Sequence, residues 1–236
     1  MSVLEVKHVS KRFGSLVAVR DVSLAVGKGE LLAIIGPNGA GKTTFFNLIS
    51  GFARPSAGTI VFDSRDVTAL PAHQRVALGM ARTFQITEIF PELTVFENVR
   101  ISTEIARGYR LRPWLSRPEQ SDIERRVAEL VGELAHGDQR AAEIAMALAL
   151  EPHLLLLDEP TAGMGDQETY EITQLIRRLH RDSYFTIILI EHDMRVVFHL
   201  ADRIVVLDQG AVLAAGTPQE IAANAAVQAA YLGRAA

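Results

Sequence analysis

Cysteine is absent from this sequence. Its absence excludes disulfide scaffolds, thiol nucleophiles and Cys-ligated zinc or iron–sulfur sites together. Long apolar runs are also missing: no stretch approaches the ~18 residues a bilayer span needs, and Met1 to Lys11 mixes apolar and charged residues without a signal-peptide core. Positive charge is in short supply. The net charge of −4 argues against a general nucleic-acid binder, which would need a positive field to recruit phosphate backbones. Lysine occurs only at positions 7, 11, 28 and 42, and none follows Lys42. The 236 residues, 48% hydrophobic and 22% charged, suffice for one large domain or a core with a subdomain. A soluble, cytoplasmic protein is the expectation.

Short strands with turns are expected over the first thirty residues, where Val3, Glu5 and Lys7 alternate with Leu4, Val6 and His8 and glycines punctuate. Leu31 to Ile35 is a continuous apolar run ending at Gly36, the pattern of a fully buried strand, and Lys42 to Ile49 reads as the helix that follows. Further buried strands are expected at Leu154–Leu157, Phe185–Ile190 and Ile204–Leu207, with helices at Gln139–Leu150, Glu168–Arg181 and Met194–Leu200. Such alternation implies an α/β fold with a mostly parallel sheet covered by helices. Residues 86–140 differ in character, with Pro91, Pro113 and Pro118 and then helical spacing from Asp122 to Val131. They read as an inserted helical subdomain. The resulting division is a core of 1–85 and 141–215, the subdomain 86–140, and a helical tail 216–236, all in one domain.

Gly36-Pro37-Asn38-Gly39-Ala40-Gly41-Lys42-Thr43, followed by Thr44, fits the phosphate-loop pattern G-x-x-x-x-G-K-[ST] at every fixed position. Glycines let successive N–H groups approach phosphate oxygens, and the following helix adds its positive end. Lys42 would reach the β- and γ-phosphates, and Thr43 would offer its hydroxyl to Mg²⁺. A chance glycine-rich turn is the plain alternative. The strand before the loop and the helix after it disfavour that reading, so a nucleoside triphosphate is the expected ligand. Asp158 and Glu159 end the second buried strand, where a carboxylate can reach Mg²⁺ through water and its neighbour can activate a water. Capping of the next helix is the alternative for this pair.

These features and four more resemble the ATP-binding subunit of ABC transporters over nearly the whole chain. The ordered motifs are the phosphate loop, Thr83-Phe84-Gln85, LAHGDQR from Leu134 to Arg140, LLLLDEP from Leu154 to Pro160, the Thr161–Met164 turn, and Glu191-His192-Asp193. The resemblance implies an α/β P-loop NTPase core with an N-terminal antiparallel β subdomain and an inserted helical subdomain. It implies ATP and Mg²⁺ as cofactors, Phe13 as the aromatic stacked on adenine, and Gln85 meeting Mg²⁺ and the attacking water. It further implies Asp158 as a metal-side carboxylate, Glu159 as general base and His192 as sensor of the γ-phosphate. Leu134, Ala135, His136, Gly137 and Asp138 match the signature loop that closes over the partner's nucleotide.

Departures from the family pattern fall on what the chain would supply to its mate. Ala135 lacks the hydroxyl of the usual serine, a loss of about 1.5–3 kcal/mol at most. Gly165 stands where many relatives have aspartate, and the segment before Leu134 is short. With its own phosphate loop intact, an asymmetric heterodimer is expected, a homodimer being the alternative. ARTFQ, FPELTVFENV, HGDQR, EHDM, GTPQEI and AYLG resemble the branch importing branched-chain amino acids, related amides or urea. That branch implies a second ATP-binding subunit, two membrane permease subunits, a periplasmic or extracellular solute-binding protein and a peripheral position on the cytoplasmic face of the bacterial inner membrane. The Arg107–Arg117 segment, with four arginines, a tyrosine and the only tryptophan, reads as a solvated face, a permease contact or a headgroup contact, and more weakly as a nucleic-acid contact, since Glu97, Glu104, Glu119, Asp122 and Glu124 dilute its field. A GTPase would need an N-K-x-D motif, excluded by the lack of lysine after Lys42. A small-molecule kinase has no use for LAHGDQR or His192. A non-transport ABC ATPase of DNA repair or translation is the remaining rival, although it generally carries tandem cassettes or a long coiled coil.

Overall fold

Two strands of twelve residues each, rather than several short ones, open the chain: β1 (Ser2–Phe13) and β2 (Leu16–Gly27) pair antiparallel. Register shifts in β1 near Val6–Val9 and Lys11–Arg12 break the apolar alternation while the ladder continues, which is why the pattern reads as shorter pieces. A computed structural model describes residues 2–83, 90, 92–107, 117–132, 139–183 and 185–232. After β2 come β3 (Leu31–Ile35), α1 (Lys42–Ser50), β4 (Ala57–Phe62), β5 (Arg65–Asp66), α2 (Ala72–Ala77) and β6 (Met80–Arg82). Then follow the helices α3 (Val95–Ala106), α4 (Arg117–Gly132) and α5 (Gln139–Ala149). The remainder alternates: β7 (Leu154–Asp158), α6 (Asp166–Ser183), β8 (Thr186–Ile190), α7 (Met194–Leu200) and β9 (Arg203–Asp208). β10 (Ala211–Gly216), α8 (Pro218–Ala222) and α9 (Ala225–Leu232) complete the chain.

Two sheets result. One is antiparallel, in the order β2-β1-β4-β5; the other runs β10-β9-β3-β8-β7-β6 and is parallel except for its β10 edge. The continuous apolar strands serve both faces of the second sheet. Leu32, Ile34, Leu154, Leu156, Ile188 and Ile190 join the antiparallel sheet and α1 in one core. Leu31, Leu155, Leu157, Ile187 and Leu189 pack on the other face against α5, α6 and α7. Ala33, Ile35, Ile204 and Val206 meet Val197, Ile221 and Val227 of α7, α8 and α9. Each fully buried leucine or isoleucine contributes about 1.5–3 kcal/mol relative to exposure, so these strands hold the sheet rigid. α3 packs against α4 and α5, and α5 also meets β6. Among the described residues no helix is long and apolar enough to cross a membrane.

A buried cation fixes the far end of α1. Arg75, 1% exposed, donates from Nη1 to Leu48 O (2.7 Å) and Ile49 O (2.5 Å), from Nε to Leu70 O (3.0 Å) and from Nη2 to Thr68 O (3.3 Å). Burial pushes its pKa down to about 10, but the guanidinium sits among the last carbonyls of α1, where the helix dipole favours positive charge. Arg75→Met is expected to leave these carbonyls unmatched and to destabilise the protein by about 3 kcal/mol, read by urea unfolding. A loss under about 1 kcal/mol would show that water replaces the guanidinium.

Candidate functional site

Parallel strands place their C-terminal ends along one edge, and a ligand binds where the connections diverge to opposite sides. Here β3 lies between β9 and β8 in the sheet, so Gly36 at its end occupies that point. Gly36 has φ +152°, and a Cβ there would sit 2.1 Å from Leu207 O. At Gly41, with φ +96°, a Cβ would lie 2.3 Å from Ala18 O. The loop therefore runs too close to β9 and β2 for any side chain at either position. Gly210 N donates to Ala40 O at 3.0 Å and Arg20 N to Gly210 O at 2.7 Å, tying the loop to the β9–β10 turn and to β2. Gly41 caps α1 with no side chain accepting from the first turn, so its N–H groups are kept for an anion.

Lys42 is only 6% exposed, and its Nζ donates to Gly36 O at 2.7 Å and Pro37 O at 3.2 Å. Burial lowers the lysine pKa, while Glu159 and Asp158 oppose that shift. The cation is thus held inside its own loop, facing two carboxylates across the strand ends. A cavity of about 630 Å³ lies over the loop, within the ~300–1,000 Å³ of small-molecule sites. Asn38 to Thr44, Glu159 and His192 line it on one side, and Leu16, Val17, Ala18 and Arg20 on the other. Phe13 ends β1 at 52% exposure with Lys11 Nζ 5.0 Å from its ring centre, and it lies outside the lining of this cavity.

Glu159 directly follows β7, and its N–H donates to Ile190 O at 2.9 Å, extending the β7–β8 ladder by one residue. Its φ of +48° is unusual for a side chain of this size and turns the carboxylate toward the next strand end. There Glu159 Oε1 meets His192 Nε2 at 2.7 Å. The structure thus brings together Lys42, Thr43 and Thr44 at the start of α1 with Glu159 and His192 from the exits of β7 and β8. Asp158 lies one residue back, 4% exposed. Gln85 and the signature positions Leu134, Ala135, His136, Gly137 and Asp138 lie outside the described residues.

Two side chains that lie within quoted motifs but carried no assigned role in the sequence complete the site. Arg82, on β6, donates to Asp158 Oδ2 (2.7 Å), Asn47 Oδ1 (2.7 Å) and Ser50 Oγ (2.8 Å), and lies over the rings of Phe46 and Phe52. It joins α1, β6 and β7 through one guanidinium. Glu191, 3% exposed, follows the apolar run of β8 and accepts from Thr161 and from the His192 main chain. The sequence signal for both is a charged residue at the end of an otherwise apolar strand. The turn after Glu159 leads to Gly165, whose N–H donates to Glu168 Oε2 at 3.1 Å, and Asp166 opens α6 beside Arg195 at 3.4 Å.

Thr43 lines the cavity and the Asp158 carboxylate acts on the neighbouring Lys42, and a hydroxyl and a carboxylate are oxygen donors of the kind that suit Mg²⁺, a hard cation usually held by one or two protein oxygens plus phosphates. The chemistry available at this edge is therefore phosphoryl transfer to water, with a carboxylate and an imidazole in direct contact beside a phosphate-binding loop.

Residues 19–162 match the family model described as ABC transporter, and residues 211–236 match a second, described as Branched-chain amino acid ATP-binding cassette transporter. The high-affinity branched-chain amino acid transport ATP-binding protein LivG of Salmonella typhimurium is 41% identical over a 251-residue alignment, covering 99% of this chain and 98% of the relative. The solved ADP conformation of an ATP-binding cassette of an ABC transporter superposes with a TM-score of 0.84 at 28% identity, covering 99% of this chain and 100% of that one. A dimeric post-hydrolysis cassette bound to ADP and Pi superposes with a TM-score of 0.76 at 25% identity, covering 91% and 98%.

Proposed function

This chain belongs to the ABC transporter ATP-binding family, and from that premise we propose that it hydrolyses Mg-ATP to power uptake of branched-chain amino acids or related small amides. The observation that carries the reaction is the contact of Glu159 with His192 beside the Lys42 loop. In this reading the main-chain N–H groups between Asn38 and Thr44 and the Lys42 ammonium bind the triphosphate, Leu16, Val17 and Ala18 receive the nucleoside, and Phe13, beyond the cavity lining at the end of β1, is the ring left to stack on the base. Thr43 and Asp158, with Gln85, would hold Mg²⁺, which would neutralise charge on the phosphates. Glu159 Oε accepts the proton of the attacking water. His192 Nε2 holds that carboxylate in this structure and would turn its one N–H to the γ-phosphate when ATP binds. Arg82 keeps Asp158 aimed at the loop through its 2.7 Å ion pair.

A second ATP-binding subunit completes each site with its signature loop, and this chain returns Leu134 to Asp138 to its mate. The dimeric state of a structural neighbour supports that arrangement. Ala135 makes the returned loop the weaker one, so the assembly is a heterodimer docked on two permeases at the cytoplasmic face, fed by a solute-binding protein. The full-length likeness to LivG supports the choice of solute. Deleting the gene is expected to abolish high-affinity uptake of leucine, isoleucine and valine while uptake of unrelated solutes continues. Unchanged uptake of all three, with loss of urea or amide uptake instead, would reassign the solute.

A further inference from the structure

Glu191 is among the most deeply buried carboxylates of the described residues, and its two oxygens meet four donors. Oε1 accepts from Thr161 N at 2.9 Å and Thr161 Oγ1 at 2.5 Å. Oε2 accepts from His192 N at 2.8 Å and Asp193 N at 3.4 Å. An ionised carboxylate is acceptor-only, which suits four converging donors; an amide of the same shape would turn its NH₂ toward an N–H on one side. Burial of a charge at 3% exposure is tolerated only when it is matched in this way.

The positions it grips bracket the reacting pair. Thr161 lies two residues after Glu159 on the exit from β7, and His192 is the first residue after Glu191 on the exit from β8. The Glu159–His192 contact of 2.7 Å is therefore spanned by two main-chain segments that share one buried side chain. A second, exposed link joins the same segments farther out, Arg195 Nη2 to Asp166 Oδ1 at 3.4 Å. Screened by solvent, that outer pair adds little rigidity. We propose that Glu191 is a positioning residue: it clamps the two strand exits and so sets the Glu159–His192 spacing. This inference rests on the ATPase reading given above.

The test uses the full chain with its partner subunit and compares wild type, Glu191→Gln and Thr161→Val. Glu191→Gln is expected to lower kcat for ATP at least tenfold, with KM and the calorimetric Kd for Mg-ADP within twofold of wild type. The amide resonances of Thr161 and His192, in protein labelled at threonine and histidine, are expected to move upfield together. Thr161→Val, which keeps the N–H and the side-chain volume, is expected to lower kcat about threefold at the same Kd, and the double variant to be no slower than Glu191→Gln. Wild-type kcat in Glu191→Gln, or Kd weakened in proportion to kcat, would overturn the positioning role. Should Glu191→Gln not fold, Thr161→Val decides, and an unchanged kcat there overturns it. A wild-type protein without ATP turnover would instead defeat the ATPase reading, and the paired amide shifts would still decide whether the clamp exists.

Discussion

Glu159→Gln is expected to lower ATP turnover by a factor of about 10²–10⁴, the range set by removal of a general base, while nucleotide binding persists. Glutamine keeps the shape and can still donate or accept toward His192, which Glu159 meets at 2.7 Å. What it loses is basicity. The left-handed backbone at φ +48° is the same for either side chain, so its strain does not separate them. The Glu159 carboxylate also raises the Lys42 pKa, so its removal takes away part of the opposition to burial at that ammonium. Lys42 remains in the cradle with its two carbonyl partners. Steady-state phosphate release measures the loss, and size-exclusion chromatography with Mg-ATP is expected to show a long-lived association with the partner subunit. Turnover equal to wild type would remove Glu159 from the proton-transfer role.

Lys42→Ala should act at the other end of the reaction, on binding. The ammonium is the charge in the loop that can follow the β- and γ-phosphates, and a hydrogen bond to a charged group is worth about 1.5–3 kcal/mol. Affinity for Mg-ATP is therefore expected to fall about ten- to a hundredfold, and turnover to fall with it. Stability should change little, because losing the bonds to the Gly36 and Pro37 carbonyls is offset by no longer burying a charge that its surroundings disfavour. Calorimetry measures the first effect and thermal unfolding the second. Wild-type affinity in this variant would show that the main-chain amides alone hold the nucleotide.

Much of this was readable in advance where one physical signal dominated. β3, β7 and β8 are five-residue strands buried on both faces and apolar except for Asp158 at the end of β7 and Thr186 at the start of β8, so the apolar runs had no competing pattern. The phosphate loop was legible because glycine is demanded at 36 and 41, where the Leu207 and Ala18 carbonyls leave no room for a side chain. β6 was not legible: three residues carry no period, and its last one, Arg82, is charged and only becomes sensible beside Asp158 and Asn47. β10 escaped notice because it is a half-exposed edge of small residues. The tail from Pro218 to Leu232 was expected to be helical throughout, and it is divided into α8 and α9 where Asn224 Oδ1 accepts from Ala226 N and Val227 N and starts a new helix. Residues 108–116 and 133–138, where the aromatic basic segment and the signature lie, fall outside the described residues.

Glu191 marks the limit of motif reading. As a letter it is one more acid after a strand; its meaning comes from Thr161, thirty positions earlier in sequence but 2.9 Å away through the main-chain N–H. The same holds for Arg75, whose partners Leu48 and Ile49 belong to a helix more than twenty residues upstream. Long-range polar contacts of this kind follow from the sheet order, which no local pattern contains.

Titration calorimetry of Mg-ATP into the Glu159→Gln protein bears most directly on the claim that this strand edge is an ATP site. The account predicts saturation at one nucleotide per chain, with a Kd in or below the micromolar range, and a much weaker isotherm when Lys42→Ala is added. No heat above dilution, or binding indifferent to the loss of Lys42, would contradict it.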